Sequence, residues 1–344
     1  MTTVYATHSR YIEHHLPGHP EHAGRIQAVW RQLDDSGLAA RMHRLDPQVV
    51  DEAHIRTVHT REYLAALAWL DDLEQITHLD ADTYAGPKAY EIARLSTGGV
   101  VGAVDAVLRG QADNGLAAVR PPGHHAMPNY AMGFCLLGNV PIAARFAQNT
   151  HHVEHIMIVD IDVHHGNGTE AMFYDDDSVL FISTHQSPFY PGTGRINDTG
   201  RDKGSGYTIN IPFMGGHGDA SYAAVFEQVV WPAAERFKPE LILVSAGFDA
   251  HWTDPLASMR LSLAGYAHLT RELIRIAHQF CGGKIIFVME GGYNLDALGN
   301  GMRNIAHALL GDDAVSDPLG PPRGSRPEPD VQPLIDQIRL IHRL

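Results

Sequence analysis

The segment Asp160-Ile-Asp162-Val-His164-His165 alternates carboxylates and an imidazole with apolar residues. On a strand end, positions i, i+2 and i+4 share a face, so Asp160, Asp162 and His164 are expected to point the same way. A carboxylate and an imidazole two residues apart can bind one metal ion. Asp249, in SAGFDAH, can complete a set of three O/N ligands plus water, the pattern of a catalytic zinc site. The competing reading of this spacing is a salt-bridged structural cluster. Gly123-His124-His125 follows Pro121 and Pro122, a stiff turn that fixes where the imidazoles point. Paired imidazoles beside a metal site suit proton transfer, and each needs a partner to set its tautomer; Asp160 and Asn167 are available. Tyr293, after Gly291 and Gly292, is either a core tyrosine or a donor to a carbonyl oxygen that stabilises a tetrahedral oxyanion. The two glycines let its loop approach closely.

These residues need elements that bring them together. Five short apolar runs lack polar alternation: Leu116–Val119, Ile156–Val159, Val179–Ile182, Leu241–Val244 and Ile285–Met289. That is the pattern of parallel strands buried on both faces. Helical spacing marks Ala23–Asp35, Thr60–Leu70, Lys88–Leu108, Val140–Gln148, Asp219–Phe237, Ser262–Phe280 and Asp296–Leu310. The expected fold is therefore a three-layer α/β domain. The clusters RPPGHHA, DIDVHHGNGT, STHQSPFYPGTG, SAGFDAH and EGGYN each follow one of the five runs. Ligands bind beyond the carboxyl ends of strands in open α/β sheets, so five clusters can converge on one site.

Composition narrows the partners. With 40 acidic and 26 basic side chains the formal charge is −14, which argues against nucleic acid and tolerates cationic substrates. The two cysteines form no CxxC pair and fit a reducing compartment. The start shows no signal peptide, and no apolar run approaches the roughly 20 residues of a membrane span. A cytoplasmic location is expected. Residues 312–333 read as an irregular Pro/Gly-rich segment at the end of a single 1–344 domain. A short amphipathic helix through Val331, Leu334, Ile335, Ile338 and Ile341 follows, packed on its own domain or forming an oligomer contact.

The set RPPGHHA, GFC (Gly133–Cys135), DIDVHHGNGT, FYPGTG (Phe189–Gly194), SAGFDAHWTDPL and EGGYNL resembles the histone deacetylase family, which includes the acetylpolyamine amidohydrolases. GHPEHAGRI and VHTREYL extend the likeness; the former departs from the usual HPER start. The resemblance implies the arginase–deacetylase fold, a parallel sheet of about eight strands flanked by helices. It implies zinc on Asp162, His164 and Asp249, with iron(II) as a possible cellular substitute. It implies His125 as general base paired with Asn167, and His124 as its electrostatic partner or proton shuttle paired with Asp160. Tyr293 would polarise the carbonyl. Phe134 and Tyr190 would wall an acyl-lysine tunnel beside Gly133, with Asp82 on the rim. Structural potassium would sit on backbone oxygens of Asp160, Asp162 and His164 with Ser183 and Thr184, and a second ion near Phe173, Asp176, Val179 and Tyr207.

The implied substrate is an acylated lysine in a peptide or protein, or a small acylated amine. Polyamine-selective relatives carry an acidic residue after the DP of the zinc loop or a long insertion before RPPGHHA; here Leu256 follows Asp254-Pro255 and the stretch from Asp82 to Lys88 is short. Both features favour acyl-lysine. A ureohydrolase of arginase type would need a further carboxylate where His165 and Gly166 stand. A non-catalytic acyl-lysine-binding protein is the alternative from another class.

Overall fold

The computed structural model describes residues 1–324 and 327–344; residues 325 and 326, inside the irregular 312–333 segment, lie outside the described residues. The strands are β1 (Thr3–Ala6), β2 (His43–Leu45), β3 (Thr77–His78), β4 (Tyr84–Ala85), β5 (Asn114–Ala117), β6 (Ile156–Asp160), β7 (Val179–Gln186), β8 (Thr208–Phe213), β9 (Leu241–Ala246) and β10 (Ile285–Met289). The helices are α1 (Gly24–Asp35), α2 (Leu38–Arg41), α3 (Glu52–Ile55), α4 (Arg61–Leu70), α5 (Ala89–Leu108), α6 (Asn139–His151), α7 (Asn167–Phe173), α8 (Asp219–Val225), α9 (Trp231–Phe237), α10 (Leu263–Cys281), α11 (Leu295–Leu309) and α12 (Gln332–His342).

Eight strands form one parallel sheet in the order β2-β1-β5-β10-β9-β6-β7-β8. Every residue of β6, β9 and β10 is buried, as their unbroken apolar runs require. Two groups of packed helices flank the sheet: α1, α11, α10, α8 and α9 on one side, and α4, α5, α6 and α7 on the other. Local chemistry sets the ends of these helices. Ser262 caps α10 by accepting the Gly265 N–H, and Gly282 ends it at φ 64°, which a glycine adopts without the clash of a Cβ. Asn294 caps α11 by accepting from Asp296 and Ala297.

The structure departs from the sequence reading in four places. β5 lies two residues earlier than the run Leu116–Val119, because its register with β1 ends at Ala6 and Ala117 and the chain then turns toward a buried arginine, Arg120. β7 continues through Ser-Thr-His-Gln, so the first four residues of STHQSPFYPGTG belong to the strand and only the remainder follows it. Its polar groups are satisfied in place, with Thr184 Oγ1 donating to the Asp160 carbonyl and His185 bonded to Ser183 and the Gly194 carbonyl. β1, β2 and β8 are too short or too mixed to stand out by periodicity. The helical stretch from Asp219 to Phe237 contains a π-helical turn at Phe226–Val230. At the end of the chain, α12 buries Ile335 and Ile338 against β8 and that π turn, so its apolar stripe is covered by its own chain.

Candidate active site

Five neighbouring strands, β5, β10, β9, β6 and β7, direct their carboxyl ends to one place. They carry respectively His124 and His125, Tyr293, Asp249, the Asp160–His165 segment, and Phe189 with Tyr190. These clusters are far apart in the chain and adjacent only because β9 and β10 insert between β5 and β6.

Asp162, His164 and Asp249 each offer a ligand atom, and the three atoms lie within 4.8 Å of one another. His164 Nδ1 is 3.1 Å from Asp162 Oδ1 and 3.1 Å from Asp249 Oδ2. The remaining carboxylate oxygens are held by backbone: Gly291 N–H donates to Asp162 Oδ2 (2.7 Å) and Val163 N–H donates to Asp249 Oδ1 (2.8 Å). The residues after Asp160 are not an extended strand, so the shared-face expectation fails for Asp160. Instead the segment folds through successive Asx-type bonds, Asp162 N–H to Asp160 Oδ1 and His164 N–H to Asp162 Oδ1. Asp160 thereby turns toward His124 while Asp162 and His164 face Asp249.

The charge in this cluster suits a divalent cation. Burial, then repulsion from Asp162, pushes the Asp249 carboxyl up to about 7. Burial disfavours the His164 cation, yet its hydrogen bonds to Asp162 and Asp249 raise it to about 10. His164 Nδ1 stands where both carboxylates meet it, an O/N donor set that suits a divalent cation. Gly291 completes the cradle: a Cβ there would lie 2.2 Å from Asp249 Oδ2 and 2.5 Å from Asp162 Oδ2.

The histidine pair is differentiated. His124 Nδ1 is 3.0 Å from Asp160 Oδ2, and His125 Nδ1 is 2.7 Å from Asn167 Oδ1. Burial opposes charge on His124, but Asp162 and Asp160 outweigh it and raise its pKa to about 10. Burial, then the neighbouring His124 and His164, hold His125 well below the ordinary histidine value. The two imidazoles are thus pushed in opposite directions, His124 toward the cation and His125 toward the neutral form. α7 starts against it, with Gly168 and Thr169 N–H groups donating to the His124 carbonyl.

A cavity of about 280 Å³ opens onto these groups, lined by His125, His164, Phe134, Phe189, Tyr190 and Tyr293, with Gly133, Asp82, Leu256 and Pro20. Tyr190 stands edge-on to His125 (centroids 5.3 Å) and Phe189 stacks on His164 (5.4 Å). Phe134 faces Tyr293 edge-on at 5.8 Å. Gly133 lies against His125 at φ 55°, where an added Cβ would fall 2.3 Å from the imidazole Cδ2. Burial pushes the Tyr293 phenol well above its ordinary value, so it stays a donor. At the rim, Asp82 accepts from Thr83 Oγ1, which itself accepts the Phe134 N–H.

Of the residues expected to hold potassium, Asp160, Asp162 and His164 belong to the segment just described, and the others lie on or near β7. Ser183 and Thr184 lie on β7 beside Asp160 of β6. Asp176 N–H donates to the Phe173 carbonyl, and Tyr207 accepts from Phe181 near Val179, the first residue of β7. A larger cavity, about 610 Å³, touches Tyr207, Arg236 and His342 and none of His124, His125, Asp162, His164 and Asp249.

Several contributors escaped sequence reasoning. Glu290 is fully buried; its Oε2 accepts from Gly123 (2.7 Å) and His124 (3.2 Å) backbone N–H groups. Burial raises it to about 7 despite His124. The available signal was a carboxylate ending the apolar run IIFVM, a position that demands a partner. Arg25 donates to the carbonyls of Glu290 and Gly292, and its guanidinium lies 5.0 Å from the Tyr293 ring centre. Asp254 accepts the Tyr293 N–H at 2.7 Å and the Leu256 N–H at 2.9 Å, tying two loops of the cavity together. Phe189 joins the wall expected of Phe134 and Tyr190.

Known proteins agree with this architecture. Residues 19–309 match the histone deacetylase domain. The chain is 38% identical to histone deacetylase 14, chloroplastic, of Arabidopsis thaliana, over 98% of this chain and 84% of that one. It is 43% identical to a histone deacetylase-like amidohydrolase of Pseudomonas aeruginosa, over 80% and 73% respectively. The crystal structure of the HDA15 HD domain superposes with a TM-score of 0.90 at 34% identity, covering 99% of this chain and 95% of that one. The chain therefore belongs to the histone deacetylase domain family, and its sheet is that of the arginase–deacetylase fold. Membership supports a hydrolase of the deacetylase or amidohydrolase kind. No helix among the described residues is long and apolar enough to cross a membrane.

Proposed function

We propose that this protein hydrolyses the amide of an acylated lysine side chain or similar alkyl amine, acetyl-lysine foremost, releasing a short carboxylic acid and the free amine. The whole chain, 1–344, is read as one deacetylase domain acting in the cytoplasm. The observation that carries the reading is the Asp162–His164–Asp249 cluster beside two histidines paired with Asp160 and Asn167 in an aromatic-walled cavity. Asp162, His164 and Asp249 would hold zinc, or iron(II). Once bound, that ion supplies a Lewis acid for the scissile carbonyl and acidifies water.

The chain's own residues do the rest. Phe134, Phe189 and Tyr190 enclose an uncharged alkyl stem and exclude water from it. His125, neutral and oriented by Asn167, takes the proton of the attacking water. The Tyr293 hydroxyl donates to the developing oxyanion. His124, whose cation Asp162 and Asp160 favour, stabilises the negative charge, and a protonated imidazole of the pair delivers a proton to the departing nitrogen. Potassium on the backbone of Asp160, Asp162 and His164 with Ser183 and Thr184, and near Phe173, Asp176, Val179 and Tyr207, would stiffen β6 and β7. Leu256 at the mouth offers no charge to a second amine, which favours acyl-lysine over an acylated polyamine.

The test compares kcat/KM for an acetyl-lysine peptide with that for N-acetylputrescine on zinc-loaded protein. A higher value for the peptide is expected; a higher value for the polyamine overturns the substrate, and no turnover of any acylated amine overturns the reaction. Asp249→Ala is expected to lose both metal and activity; full zinc occupancy in that variant would contradict the ligand set.

A further inference from the structure

Asn167 is hydrogen-bonded at both ends of its carboxamide. Its Oδ1 faces His125 Nδ1 at 2.7 Å. Its Nδ2 lies 3.2 Å from Met127 Sδ and 3.2 Å from Met132 Sδ. Each methionine opens a tight turn, one closed by the bridge between Met127 and Tyr130 and the next by that between Met132 and Cys135, and both sulfurs meet the same amide. Asn167 itself is only 8% exposed, so water does little to choose its orientation.

A thioether sulfur accepts hydrogen bonds and cannot donate one. It therefore distinguishes the two ends of an amide that are otherwise alike in shape. With NH2 toward the sulfurs, Oδ1 must face His125, and an acceptor there requires the proton on His125 Nδ1. Nε2 is then left with its lone pair. The flipped amide would set Oδ1 against two sulfur lone pairs and NH2 against His125, reversing the tautomer and turning Nε2 into a donor that cannot take a proton.

From this geometry we infer that Met127 and Met132 are positioning residues whose sulfurs fix the amide of Asn167 and, through it, the tautomer of the His125 base. The functional consequence rests on the proposed role of His125; the tautomer itself does not.

The experiment uses zinc-loaded protein and the double variant Met127→Leu/Met132→Leu, which keeps volume and removes both acceptors. Imidazole 15N shifts report where the His125 proton sits. The wild type should show His125 protonated on Nδ1, and the double variant a mixture of tautomers. On an acetyl-lysine peptide, kcat should fall about tenfold, the scale of one orienting hydrogen bond, with KM and zinc content unchanged. Asn167→Asp has no end to flip, so adding the two leucines to that variant should change kcat less than twofold. Met132→Leu alone provides an intermediate should the double variant be poorly folded. A single Nδ1-protonated tautomer persisting in a folded leucine variant overturns the inference, as does an equal loss of kcat in the Asn167→Asp background. A tautomer change without any deacetylase activity sustains the inference and instead overturns the proposed reaction.

Discussion

At the scale of single residues, the site depends on groups with no chemistry of their own. Gly291 contributes an N–H to Asp162 and otherwise only the space beside two carboxylates. Gly291→Ala should lower metal affinity about 10- to 100-fold, the range seen when supporting contacts of a metal site are lost. Competition with a chelator measures it, and an affinity within twofold of wild type would refute the steric argument. Tyr293 differs, because it lines the cavity itself and, in the proposed reaction, would face the scissile carbonyl. Tyr293→Phe should keep zinc while kcat falls by about 100-fold, the effect of one missing oxyanion donor. Near-normal turnover would remove that role.

At the scale of elements, the ends of β5 and β10 are fastened by a buried ionic network. Arg120, three residues beyond β5, grips both oxygens of Glu21 at 2.5 Å and donates to the Tyr11 carbonyl. Arg25, on α1, joins Glu21 at 3.3 Å and holds the backbone that leads to Tyr293. Although burial opposes its charge, Arg120 and Arg25 hold the Glu21 carboxyl down to about 2. Removing one partner strands two buried cations. Glu21→Gln should cost about 3–5 kcal/mol of stability, read from urea unfolding. A loss below about 1 kcal/mol would mean that the network is relieved by solvent. Here the sequence was partly legible: GHPEHAGRI stood out as a unit, but nothing in its spacing tied Glu21 to Arg120, 99 positions away.

At the scale of the whole molecule, acid stability follows from groups that fold buried and uncharged or buried and paired. Burial lowers His14 to about 3 and His59 to about 4. His59 is locked as the neutral form, since Gly138 N–H donates to its Nε2 while Nδ1 faces the Met127 carbonyl. In the unfolded chain these histidines take up protons near pH 6.5. Between there and their folded values the unfolded state binds more protons, so stability is full above about pH 6.5 and declines as pH falls, by up to about 1.4 kcal/mol per pH unit for each group. Glu21 adds a loss of the same sign below its unfolded value near 4.5, complete only as pH passes about 2. His124 and His164, raised in the fold, act with the opposite sign above pH 6.5, so the test is confined to the acid side: urea midpoints at pH 6, 5 and 4 should fall in order, and His59→Gln should flatten the slope. A midpoint rising toward pH 5 would contradict the assignment. Metal acts on the same balance: an ion that binds only the folded chain should raise Tm with its free concentration, and a chelator should lower it.

The sequence by itself determined the buried parallel strands and the clusters behind them, because unbroken apolar runs and glycine-rich polar ends are local properties of the chain. It also marked Asp162, His164 and Asp249 by residue type and spacing. Tertiary structure alone decided that β9 and β10 lie between β5 and β6, which makes neighbours of His125, Tyr293 and Asp249. It decided that Asp160 turns away from the metal cluster to His124, through Asx bonds that a strand-face argument cannot represent. It also brought Glu290, Arg25, Met127 and Met132 against the loops of the candidate site. Such contacts join side chains to backbone and to amides far along the chain, and no periodicity in the sequence encodes them.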